Sequence, residues 1–286
     1  MKDKLSIVTG ATSGIGFQTA LRLAYHKHHL VLVLRDVIKG DLIRRQISDE
    51  VPGSKVDIVV ADLASQNQVR RAGHEIKQIS AAVDVLVNNA GTWISKRVLT
   101  EDGLERVFAV NHVAYFLLTH LLYSALANSE EGRILNISSD SHFHGKMHFE
   151  DLSLENGYHG LRSYAQSKLA NILFTYELEK RKIHDHITVN AVQPGLVKTD
   201  IGIKNTNWLH ASAWKLRRYF GVTPEKGADT SVYLATSPEV QRISGKYWAN
   251  KRPKTSSKRS YRDEDASMLW ESSEKMCGIS DYFESS

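Results

Sequence analysis

Tyr164 and Lys168 stand four residues apart in the stretch YAQSK (164–168). On an α-helix that spacing places both side chains on one face, one turn apart. A free phenol titrates near ~10, so at pH 7 its ionisation costs about 4 kcal/mol. An adjacent ammonium favours the phenolate and narrows that gap, which would make the pair an acid/base device. The same spacing also occurs on ordinary solvated helix surface, so the surrounding elements must decide.

A second group lies near the N-terminus, in TGATSGIG (9–16), with glycines at Gly10, Gly14 and Gly16. Glycine permits tight backbone geometry and leaves room for a phosphate to approach. The helix that follows offers unpaired N–H groups and the positive end of its dipole. A glycine-rich turn with no ligand is the plainer alternative. The motif follows the apolar run LSIV (5–8) and opens helix-periodic sequence at 15–26, the context of a dinucleotide site.

The elements that would hold these residues repeat as β-α-β-α. Strand-like runs lie at 5–8, 30–34 (LVLVL), 57–60, 83–91, 133–139 and 187–195. Helix-compatible stretches lie at 15–26, 38–50, 65–80, 102–127, 161–182 and 224–236. The strands are solid V/I/L runs, as suits a parallel sheet covered by helices on both faces. The expected fold is one α/β domain over 1–250, a doubly wound parallel sheet. A polar, loop-rich tail over 251–286 packs on it or extends from it. No repeat or low-complexity tract interrupts the chain.

Of 286 residues, 42% are hydrophobic and 24% charged, enough apolar content for a large core. The net charge of +5 suits an anionic small ligand and is too small to indicate nucleic acid. The single cysteine, Cys277, excludes an internal disulfide. The N-terminus enters a strand-like run after four residues, without a signal-peptide pattern. No run reads as a membrane span. A cytoplasmic protein is expected.

The spacing T-G-x-x-x-G-x-G, followed in order by ADL (61–63), NNAG (88–91), VNH with Asn111, NISS (136–139), YAQSK and PG (194–195), resembles the short-chain dehydrogenase/reductase family. SKLANILFTYELEKR (167–181), the long loop between Ser139 and Tyr164, and SGKYW (244–248) resemble its retinol dehydrogenase-like members. The likeness covers roughly 5 to 248 and implies a Rossmann fold. It implies Tyr164 as general acid/base for hydride transfer between an alcohol and its carbonyl. It implies Lys168 as the cation that lowers the phenol's pKa and bonds the nicotinamide ribose. Ser139 would orient the substrate oxygen, with Ser138 as the alternative. Asn111 would hold a water extending a proton relay from Lys168; a helix distortion with a satisfied amide is the other reading.

The resemblance also implies a cofactor path. Gly10, Thr12, Ser13, Gly14, Ile15 and Gly16 would cradle the pyrophosphate. Asp62 and Leu63 would line the adenine pocket, and Asn88, Ala90 and Gly91 the strand end that passes the cofactor. Pro194, Gly195, Val197 and Thr199 would lie behind the nicotinamide. Counting 20 residues from Gly16 reaches Asp36, an acid placed to bind a ribose hydroxyl and select NAD. The second strand, however, ends at Leu34, and the next residue is Arg35, suited to a 2′-phosphate. NADP is therefore expected over NAD.

Four further stretches bear on function and assembly. His142, His144 and His148 could ligate a metal, but no cysteine or carboxylate set accompanies them, and a polar loop at the active-site lip is the expected reading. Residues 198–222, with Trp208 and Trp214, are expected to form a substrate lid, with peripheral membrane contact as a variant. The apolar excess of 102–127 and 161–182 is expected to build a homodimer or homotetramer. The expected activity is NADP(H)-dependent interconversion of an alcohol with its aldehyde or ketone, on lipophilic substrates. Retinol-type members usually carry a membrane anchor and none is visible here, which favours broad lipophilic carbonyls over retinoid. The alternative is a nucleotide-sensing or scaffold protein that keeps the fold without turnover.

Overall fold

The computed structural model describes residues 4–195, 197 and 221–284. Eight strands form one sheet in the order β3-β2-β1-β4-β5-β6-β7-β8. They are β1 (Leu5–Thr9), β2 (His29–Leu34), β3 (Val56–Val60), β4 (Val85–Asn88), β5 (Arg133–Ile137), β6 (Thr188–Gln193), β7 (Lys246–Ala249) and β8 (Arg252–Lys254). All neighbours are parallel except β7 and β8, an antiparallel edge hairpin. The chain leaves β1 toward β2 and β3, then returns to place β4 on the other side of β1. That reversal opens a crevice at the carboxyl ends of β1 and β4.

Alternation along each strand divides the core in two. Val8, Leu30, Leu32 and Val87 pack with Leu23 of α1 (Gly14–Tyr25), Ile47 of α2 (Val37–Glu50) and Leu234 of α6 (Pro224–Thr236). Ile7, Val31, Val33 and Leu86 face the opposite layer. There they meet Val69 of α3 (Gln66–Ile79), Leu118 of α4 (Arg106–Ala127) and Leu173 of α5 (Gly160–Arg181). Solid apolar strands are needed because both faces are covered.

Helix α4 begins at Arg106 rather than 102, because the Glu105 carboxylate caps it, accepting from the N–H groups of Val107 and Phe108 at 2.9 Å each. Contrary to the sequence reading, this 22-residue helix has the length and composition of a membrane span, but 89% of its apolar window is buried inside the protein. Its apolar residues are accounted for as core.

The tail is also not the loop-rich segment expected. After β8 it forms a 3₁₀ turn (Lys258–Tyr261) and α7 (Asp263–Cys277). Asp263, Glu264 and Asp265 complement the dipole at its first turn, and Gly278, at φ 62°, ends it. Ala266, Leu269, Trp270, Ser273 and Cys277 make its buried stripe. Trp270 packs at a tilt against Tyr282 (4.4 Å between centroids) and edge-on against Phe116 of α4 (5.2 Å), and the Tyr282 hydroxyl donates to the Phe116 carbonyl (2.9 Å). The apolar surface of α4 and α5, expected to pair two subunits, is thus covered by the chain's own C-terminus.

Candidate active site

The first glycine turn is built by close approach. Gly10 sits at φ +70°, and a Cβ there would lie 2.8 Å from the Cα of Ala90. Only glycine lets β1 and the end of β4 come this near. Thr9 locks the pair: its hydroxyl oxygen accepts from the N–H groups of Asn89 and Ala90, both at 2.9 Å. The Asn89 amide donates to the Thr9 carbonyl (2.8 Å) and packs where a side chain on Gly16 would stand. Sequence reasoning did not nominate Thr9 or Asn89; both lay inside quoted motifs, but their bonds to each other are long-range.

Ser13 takes the N-cap position of α1 without a side-chain capping bond, and Gly14 follows at φ +59°. The first-turn N–H groups of Gly14, Ile15 and Gly16 therefore end the helix toward the crevice, with Thr12 beside them. Ile15 and Val197 both pack on Gly227 of α6. Gly195 adopts φ +87° just beyond β6, after Pro194, and Val197 pairs with Val222 in a lone parallel bridge. Thr199 and the expected lid up to residue 220, including Trp208 and Trp214, lie outside the described residues.

At the end of β2, Arg35 is exposed. Asp36 is committed elsewhere: it caps α2 by accepting from the Lys39 N–H (3.1 Å), and its other oxygen pairs with Lys39 Nζ (3.1 Å). The Lys39 bonds hold its carboxyl below the ordinary range. Asp62, at the end of β3, accepts from the Ala64 N–H (3.0 Å) and lies 3.6 Å from Arg106; Leu63 is buried in the core.

Asn88 is the last residue of β4. It is fully buried, and its amide donates to Thr119 of α4 (3.0 Å) and to Asn136 of β5 (2.9 Å). The side chain ties β4 to the helix layer and to β5, and Ala90 and Gly91 follow just beyond the strand.

The YAQSK residues lie on α5, as their spacing requires. Lys168 is 2% exposed, and its ammonium lies 5.7 Å from the centre of the Tyr164 ring and 5.8 Å from that of Tyr115. The ammonium donates to the carbonyl of Ile137 (2.8 Å), the last residue of β5. The Lys168 carbonyl in turn accepts the Ser138 hydroxyl (2.7 Å). These two bonds stitch the helix turn to the strand end. Burial pulls the ammonium down to about 7. It also pushes the Tyr115 phenol well up, with nearby Tyr164 adding to the effect; the Tyr115 hydroxyl donates to Ala90 (2.8 Å).

Of the two serines, Ser138 is buried and consumed by Lys168. Ser139 is half-buried; its hydroxyl accepts from the Ser141 N–H (3.2 Å) and donates to the Ser141 hydroxyl (3.3 Å), a local turn that leaves it less committed than Ser138. Asn111 sits in a π-helical segment of α4 (Ala109–Val113). Its oxygen accepts from the Thr92 N–H (2.7 Å), and its NH₂ donates to the Thr92 carbonyl (3.1 Å) and to Ser167 (2.9 Å). Those are the features of the distorted helix with a satisfied amide. Ser167 passes the connection on, donating to the Tyr164 carbonyl (2.8 Å).

The histidines do not converge. His142 is fully buried rather than at the lip, while His148 is engaged by Arg162 (3.0 Å). No group of metal-ligating side chains forms among the described residues.

A family model described as short chain dehydrogenase matches residues 4–210. Retinol dehydrogenase 13 of Mus musculus is 38% identical over 283 residues, which span 96% of this chain and 84% of that protein. Polyprenol dehydrogenase of Homo sapiens is 35% identical over 286 residues, 98% of this chain and 86% of that protein. A solved protein from Beutenbergia cavernae, described as an NAD(P)-dependent gluconate 5-dehydrogenase and holding NADP at low occupancy, superposes with a TM-score of 0.68 at 27% identity. That match covers 86% of this chain and 94% of the other.

Proposed function

The chain belongs to the short-chain dehydrogenase family and is an oxidoreductase of it, and we propose that it uses NADP(H) to interconvert a lipophilic alcohol with its aldehyde or ketone. The observation that carries this reading is Lys168, buried beside Tyr164 and bonded to the end of β5. Burying an ammonium is costly, and a fold kept only to sense nucleotides would not need a phenol beside it.

The residues present fit a nicotinamide dinucleotide. The α1 N-terminus, Arg35 and Lys168 form a donor set of N–H groups and cations for a polyanion. Arg35 would pair the 2′-phosphate, while Asp36 is held by Lys39. The NADP in the Beutenbergia cavernae relative supports the same choice. When bound, the cofactor supplies or accepts the hydride. Tyr164 gives the proton to the carbonyl oxygen, or takes it from the alcohol. Lys168 in its ammonium form favours the phenolate, Ser139 holds the substrate oxygen, and Asn111 with Ser167 fixes the α5 turn that carries Tyr164.

The names of the two relatives, a retinol and a polyprenol dehydrogenase, support a long apolar substrate. The test is NADPH consumption by purified protein against straight-chain aldehydes of increasing length, with NADH in parallel. Turnover rising with chain length is expected. No turnover with any carbonyl or alcohol would favour the sensing role.

A further inference from the structure

The loop after β5 is tied to the far C-terminus through one fully buried side chain, His142. Its Nδ1 lies 2.7 Å from the carbonyl oxygen of Ser139, and its Nε2 lies 3.0 Å from the backbone nitrogen of Ser257. A backbone N–H only donates, so Nε2 is the acceptor and Nδ1 carries the proton. The Ser139 carbonyl therefore accepts twice from one residue, because the His142 N–H also reaches it at 3.0 Å. Two acceptor bonds on one carbonyl fix the peptide plane that follows Ser139. Ring contacts with Tyr247 (4.9 Å) and Phe143 (4.1 Å) hold the imidazole in place. A second strap runs alongside, from the Arg259 guanidinium to the Gly145 carbonyl (2.7 Å).

We propose that His142 is a positioning residue for Ser139, and that the turn at Ser257 sets its tautomer. The C-terminal segment thereby takes part in aligning the hydroxyl that meets the substrate oxygen. This rests on the assignment of Ser139 made above. Burial lowers the His142 pKa, which keeps the ring in the neutral form the two bonds require.

Amide replacements separate the two bonds. In His142→Asn the amide nitrogen takes the place of Nδ1 and can still donate to Ser139. In His142→Gln the amide oxygen takes the place of Nε2 and can accept only from Ser257. Turnover with NADPH and an active aldehyde is measured for both, with His142→Ala and Ser139→Ala beside them and thermal melts as the fold control. His142→Gln and His142→Ala are expected to lower kcat on the order of tenfold or more, since small misalignments are costly in rate. KM for NADPH should stay within about twofold, and His142→Asn should recover most of kcat.

Ser257→Pro gives a second route. Ser257 has φ −63°, which proline adopts, so the variant removes the N–H with little backbone change. With the tautomer no longer set, kcat should fall in the same direction. Equal kcat for the Asn and Gln variants, or an unchanged kcat in Ser257→Pro, overturns the inference. Full activity in Ser139→Ala overturns the Ser139 assignment and this inference together. An inactive Ser139→Ala beside a fully active His142→Gln overturns this inference alone.

Discussion

Lys168 grips the end of β5 twice: its ammonium donates to Ile137 at 2.8 Å, and its carbonyl accepts the Ser138 hydroxyl at 2.7 Å. The turn of α5 that carries Tyr164 and the strand end that precedes Ser139 are therefore joined. A residue that serves only as surface charge does not make such contacts.

The Tyr164 assignment has a direct test. Tyr164→Phe removes the phenol oxygen and little else. General acid–base groups contribute about 10²–10⁴-fold, so kcat should fall by that factor or more. Cofactor affinity, read by NADPH fluorescence titration, should change by no more than a few-fold. Retention of most of the rate would remove Tyr164 from the proton-transfer role.

Lys168 predicts how stability depends on pH. Its pKa falls from an ordinary value of 10.5 to about 7 on folding. Between those values the unfolded chain holds a proton that the folded chain does not. Stability from this group therefore rises with pH across that window and is lost as pH falls toward 7, by up to about 1.4 kcal/mol per pH unit. From about pH 7.5 to about pH 9, the native protein should gain about 2 kcal/mol relative to Lys168→Met in urea unfolding. Parallel pH curves for the two proteins would show that the ammonium is not desolvated.

The proposed preference for NADP rests on Arg35. Arg35→Ala should weaken NADPH by about 1.5–3 kcal/mol, the worth of a charge-assisted bond to a phosphate. NADH should be nearly unaffected, because Asp36 is engaged by Lys39. Equal losses for both cofactors, read as KM values, would contradict the role given to Arg35.

The C-terminal helix should act as core. Trp270 is 2% exposed among Phe116, Phe174 and Tyr282. Trp270→Ala should cost about 3–5 kcal/mol, as large aromatic truncations in cores do. Because α7 covers the outer surface of α4 and α5, the melting temperature should not depend on protein concentration. A strong rise with concentration would mean that folding is linked to association, as the expected subunit pairing requires.

The sequence alone determined the βα order, the parallel sheet, the phosphate-type turn and the shared face of Tyr164 and Lys168. Each of these is a local matter of period, of glycine or of residues one helical turn apart. It also made the end of the second strand legible at Leu34. What it could not decide were contacts between residues far apart in the chain. The stripe at Ala266, Leu269, Trp270, Ser273 and Cys277 has helical spacing, but the polar residues between them hid a helix that only tertiary packing reveals. Asn88 and Asn111 sit in recognisable motifs, yet which way their amides point depended on Thr119, Asn136, Thr92 and Ser167. Likewise His142 faces inward, not outward, because a backbone N–H 115 residues later stands ready to meet it. A buried polar group goes where its partners are, and the fold places those partners.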